Sequence, residues 1–186
     1  MGSRIFFPGA PLGEFVDRFW YYEEDIRTSY TKDRRLPDGV ASLIINLDDD
    51  LIRVYDRYNP DVFQSCRGCV ISGARSEFSL IDTASQKRVI GVSFKPGGVA
   101  PFLNIPASEL HNQIVSLNLL WGHEALELRE QMLEIGSPEG AFALLEQALL
   151  RRLKRLYIHP VITFSLKEFQ HSEHELTTSA MSERAG

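Results

Sequence analysis

The residues of this chain whose types and spacing could do chemistry are two cysteines, five histidines and a run of three aspartates. Cys66-Arg-Gly-Cys69 has the spacing of a redox pair or of half a zinc site. A tetrahedral zinc site needs two further ligands, and no second CxxC or HxxxH occurs. No helix signal follows Cys69, so nothing supports thiolate activation at a helix terminus. The pair reads as a loop cysteine beside a strand cysteine. His111, His123, His159, His171 and His174 all follow the β-rich part of the chain, so none can point inward from a barrel strand. His171 and His174 stand at i, i+3, yet no carboxylate or third imidazole completes a ligand set, and they read as a solvated pair. Asp48-Asp-Asp50 lacks the glycine and the bidentate glutamate of a calcium loop and reads as a solvated turn. Neither a nucleophile elbow nor a phosphate-cradling glycine loop is present. The sequence therefore predicts no enzymatic centre, no metal and no cofactor.

Binding chemistry is better represented. Trp20, Tyr22, Tyr55, Phe78 and Phe94 fall on predicted strands, and Arg35, Asp38 and Asn46 could supply polar contacts. A small barrel can enclose one ligand with such side chains. The candidate ligand-binding set is Trp20, Tyr22, Arg35, Asn46, Phe78 and Phe94. The competing reading is that these aromatics fill the barrel core.

The elements that must position these residues change character at Phe94-Lys95-Pro96-Gly97-Gly98. Before it, apolar residues alternate. Ala41–Leu47, Leu51–Tyr55, Cys69–Ser72, Glu77–Ile81 and Arg88–Phe94, with the aromatic run Phe19–Tyr22, give about six short strands without intervening helices. Asp56 to Arg67 reads as polar and irregular. After the junction the period becomes helical. Short helical turns are predicted at Val99–Leu103 and Pro106–Leu110. One amphipathic helix follows, with the seam Leu117, Trp121, Ala125, Leu128, Met132 and Ile135, closed by Gly136. Ser137-Pro138-Glu139 has the order of an N-cap, a first-turn proline and an acidic first turn. The next seam is Phe142, Leu145, Leu149, Leu153 and Leu156. A further helix is predicted from Pro160 to about Gln170, then a polar linker at His171–Glu175 and a short helix from Thr177 to Ala185. The fold class is α+β: an antiparallel cupin-like barrel or sandwich with a C-terminal helical segment. The expected divisions are a β-rich sensor at 1–97, a helical dimerisation segment at 98–171, and a linker with one helix at 172–186.

At 186 residues the chain can bury a sizeable core without disulfides or metal. Its net charge of −5 argues against a surface that coats nucleic acid. No apolar run approaches the length of a membrane span, and the N-terminus lacks a signal-peptide core. Gly2 invites a myristoylation reading, but Phe6 stands where Ser or Thr is required. These features point to the cytoplasm.

Leu36-Pro-Asp-Gly39, Ile90-Gly-Val-Ser-Phe-Lys-Pro-Gly-Gly98, Phe102-Leu103, Pro106-Ala-Ser-Glu-Leu110, Val115-Ser-Leu117 and Leu120-Trp-Gly122 occur in this order. In that order they resemble the N-terminal regulatory domain of one branch of AraC-type transcriptional regulators. The likeness spans most of residues 10–185, and Lys95–Leu110 is its most specific part. The resemblance implies a cupin-like ligand-sensing domain, a helical segment that pairs two copies into a homodimer, and DNA contact through C-terminal helix-turn-helix units. It also implies that Met181–Gly186 is the end of the first helix of the first such unit, with Ser182 where a small Ala is usual. Rival expectations are a cupin-like isomerase or oxygenase, and a pure dimerisation module without ligand.

Overall fold

The computed structural model describes residues 2–24 and 32–153, together with Phe164 and Glu168. Residues through Leu153 form one compact unit, and a second unit begins at Lys154. Leu156, the linker at His171–Glu175 and the tail helix lie outside the described residues. So does the helix expected after Pro160, except at Phe164 and Glu168, which are helical.

Through Leu153 the described residues form ten strands and three α-helices. The strands are β1 (Gly2–Phe6), β2 (Val16–Glu23), β3 (Lys32–Arg35), β4 (Ser42–Asn46), β5 (Leu51–Tyr55), β6 (Phe63–Arg67), β7 (Cys69–Ser72), β8 (Ser79–Asp82), β9 (Arg88–Phe94) and β10 (Ile114–Ser116). The helices are α1 (Leu117–Trp121), α2 (Glu124–Ile135) and α3 (Pro138–Arg152). One sheet has the order β1-β2-β9-β4-β7-β10 and the other β3-β8-β5-β6, and the described pairings are antiparallel. The mixed α+β class, the antiparallel sheets and the C-terminal helices thus agree with expectation. Among the described residues the outermost strands are β1 and β10 in one sheet and β3 and β6 in the other.

The larger sheet is covered on both faces. Leu43, Ile45, Ile71, Ile90 and Val92 point one way and join Leu117, Leu128, Met132, Leu145 and Leu149 of the helices in the main core. Alternate residues point the other way, where Ile44, Val70 and Ile114 meet Ile52, Val54 and Cys66 of the smaller sheet. Burial on both faces explains why β9 reads as a nearly continuous apolar run, with Val89 to Phe94 buried throughout.

The junction after β9 is held by close backbone contact. Lys95 N donates to Phe15 O at 2.8 Å. Gly97 has φ +73°, the region that favours glycine, and a Cβ on Gly98 would lie 2.0 Å from Phe15 O.

Four strands depart from expectation. β1, β3 and β10 fall where no strand is predicted, and β6 occupies part of the stretch read as irregular. The exposed side chains of β1 and β3 give no periodic signal, so pairing with β2 and β8 determines their conformation. The helix expected through Leu117–Ile135 is two helices, because Gly122 takes φ +66° and stops α1. Its seam is buried as predicted through Met132, but Ile135 is 47% exposed. The caps agree with the sequence: Gly136 is left-handed at φ 62°, and Ser137 Oγ accepts from Gly140 N at 3.3 Å.

Candidate functional site

A cleft of about 420 Å³ opens beside the inner face of the larger sheet. That volume is in the range of small-molecule sites. Trp20 and Tyr22 of β2, Ile44 of β4 and Val89 of β9 line it from the larger sheet, and Arg35 and Ile81 from the smaller. Asp33, Asp38, Thr83 and Gln86 add polar groups. Arg35, Asp38, Ile44, Ile81 and Gln86 also line a second cavity, about 40 Å³, which reaches between the sheets. The two spaces therefore share one wall.

Alternation along β2 puts Trp20 and Tyr22 on the cleft side, while Phe19 and Tyr21 enter the helix-side core. Gly91 stands opposite both Trp20 and Ile44, and a Cβ there would lie 2.3 Å from Trp20 Cζ2. The missing side chain makes room for the indole to lie across β9. The Arg35 guanidinium sits 6.0 Å from the Trp20 ring centre. Burial, and then the carboxylate of Glu24, push the Tyr22 hydroxyl above its ordinary pKa. The phenol is therefore neutral at physiological pH. Together these groups offer an aromatic surface, an apolar floor and hydrogen-bonding groups of both signs.

Three of the six sequence candidates, Trp20, Tyr22 and Arg35, meet at this cleft. The other three lie elsewhere. Phe94 is 1% exposed and stacks toward Phe102 at 5.5 Å, on the helix side of β9. Phe78 lies under the Arg34 guanidinium at 4.3 Å. Asn46 is fully buried and its side chain is committed to the chain: Nδ2 donates to Leu51 O at 3.0 Å and Ser85 O at 2.8 Å, and Oδ1 accepts from Asp48 N at 3.0 Å and Asp49 N at 3.4 Å. It organises the turn that carries the chain from one sheet to the other. Asp38, weighed as a polar contact, is at the cleft. Ile44, Ile81, Ser93 and Gln86 line it without having been singled out in the sequence; no local motif marks them, because only the strand pairing brings them together.

The cysteines stand on separate sheets, Cys66 on β6 and Cys69 on β7, and both are free and buried. Burial pushes the Cys69 thiol up to about 12, and its Sγ–H donates to Ala125 O at 3.6 Å. Such a thiol is inert. Among the described residues no group of three or more His, Cys, Asp or Glu side chains could hold a metal ion. No helix among them is long and apolar enough to cross a membrane.

A search of curated proteins returns no match to this chain. A family model described as "Domain of unknown function (DUF6597)" matches residues 4–116, which include all ten strands except the first two residues of β1. That match covers more than half of the 186 residues, and the chain belongs to the DUF6597 family.

Proposed function

We propose that this chain is the regulatory domain of an AraC-type transcription regulator, in which a small molecule held between two cupin-like sheets alters the pairing of two copies. The observation that carries the reading is the cleft of about 420 Å³ lined by Trp20, Tyr22 and Arg35. The residue order of the family resemblance, from Leu36-Pro-Asp-Gly39 through Leu120-Trp-Gly122, supplies the regulatory context. Dimerisation falls to the helices, which leave Leu119, Leu133, Ile135 and Leu150 exposed at 37–75%. DNA contact would be made by helix-turn-helix units C-terminal to this domain, in the cytoplasm. Ligand and dimer geometry are coupled only if the two arrangements bind the ligand with different affinity. β9 and the junction after it offer a physical link: one face of β9 carries Gly91 beneath Trp20, and the other carries Val92 and Phe94 into the helical core.

Native mass spectrometry of the gently purified chain tests this reading. A dimer carrying a bound small molecule, with the adduct lost on Trp20→Ala, is expected. A ligand-free chain that fails to take up any member of a metabolite library would overturn it.

A further inference from the structure

We infer that the molecule bound in the cleft is a small organic anion whose charged end seats against the Arg75 guanidinium between the sheets. The inference rests on the ligand-binding reading above and names the chemical class of its ligand. Arg75 lies on the loop joining β7 to β8 and lines the inner cavity. Its Nε is buried without a hydrogen-bond partner. The nearby Glu77 carboxylate is paired with Arg57, and Arg57 itself repels Arg75. Burial, with that repulsion, outweighs the attraction of Glu77 and lowers the Arg75 pKa from its ordinary value. An Nε–H held out of water without an acceptor is costly in the free protein, and an anionic ligand that accepts from it would remove that cost.

The loop is fixed on both sides of Arg75. Gly73 N donates to Gln113 O at 3.0 Å, and Asn112 N donates to Ala74 O at 3.0 Å. Ser76 N donates to Asn112 Oδ1, also at 3.0 Å. Asn112 adopts φ 58° to make these contacts, and a Cβ on Gly73 would lie 1.8 Å from Leu110 O. The guanidinium is thus presented on a braced loop and needs little ordering when a ligand arrives.

Charge sets the ligand's direction. The inner cavity is lined by Arg35 and Arg75 against the single carboxylate Asp38. The outer cleft adds Glu24 and Asp33 against Arg18. The deep end is therefore the more positive, and a ligand's negative group belongs there. Ser42 and Ser79, each 5% exposed, bring hydroxyls to the same space, while Ile44, Val54 and Ile81 give its walls apolar surface. A carboxylate on an aryl or short alkyl body matches this arrangement.

Matched pairs of probes separate the charge from the body: benzoate with benzamide, cinnamate with cinnamamide, octanoate with octanamide. Binding is read from Trp20 emission in a Trp121→Phe background, which leaves one tryptophan. At least one carboxylate is expected to bind about tenfold more tightly than its amide. Arg75→Gln should erase that preference, and Arg75→Lys should keep part of it. Arg75→Met should leave the free protein's Tm unchanged or raise it, whereas a structural arginine would lower it on removal. Amides that bind as tightly as their acids, or a preference that survives Arg75→Gln, would overturn the anionic assignment and leave the ligand site intact. Failure of every probe to bind would count against both.

Discussion

Gly91→Ala is the sharpest perturbation of the cleft, because a single methyl group is placed between a strand and the indole above it. The added Cβ would meet Trp20 Cζ2 at 2.3 Å, Trp20 Cε2 at 2.5 Å and Leu43 O at 2.7 Å. The indole can rotate away. Leu43 O cannot, since β4 is paired to β9 along Ser42–Asn46. Overpacking of this kind costs about 1–3 kcal/mol. Replacing glycine inside a strand returns about 0.5–1 kcal/mol through the unfolded chain. A net loss of up to about 2.5 kcal/mol is expected in urea unfolding. The Trp20 emission of the Trp121→Phe background should shift red as the ring is driven toward solvent, and carboxylate probes should lose affinity. An alanine variant with undiminished stability and unchanged emission would refute the placement of the indole over Gly91, and with it the floor of the site.

Other outcomes follow from single contacts. Asn46→Ala removes four side-chain hydrogen bonds from a fully buried turn and should cost about 2–4 kcal/mol in urea unfolding, and Asn46→Asp should cost at least as much at neutral pH because a carboxylate oxygen would face the Leu51 and Ser85 carbonyls. Cys69 should resist iodoacetamide at pH 8 in the folded protein and react in step with global unfolding, as followed by mass spectrometry. Its raised thiol pKa means that the folded state holds a proton the unfolded chain releases. Its contribution to stability is therefore lost as pH rises above about 8.5. Ser137→Ala should lower stability by about 1 kcal/mol through loss of the α3 N-cap, measured by the same unfolding titration.

What the sequence reveals depends on whether a residue's environment is set locally. β5 and β9 occupy the predicted Leu51–Tyr55 and Arg88–Phe94, because buried side chains impose their own pattern. Gly136 and Ser137-Pro138 mark helix ends through backbone chemistry that needs no distant partner. β1 and β3 are legible only through β2 and β8, since their own side chains are exposed. The cleft was half visible for a related reason. Both faces of β9 are buried, so the sequence shows that Phe94 is internal but not that it faces the helices. Asn46 looked like a polar contact for a ligand, yet its donors and acceptor are consumed by a turn that forms only when β4, β5 and the Ser85 loop come together. Arg75 carried no signal at all, because the sequence does not reveal that its Nε is buried without a partner.

The reading of the cleft as a ligand site is tested most directly by the electron density of a crystal grown from protein that has never been denatured or extensively dialysed. A discrete molecule lying against Trp20, with an acidic group within hydrogen-bond distance of the Arg75 guanidinium, is the expected result. Sheets closed on each other, with Trp20 packed against Ile81 and Arg75 turned out to solvent, would contradict it.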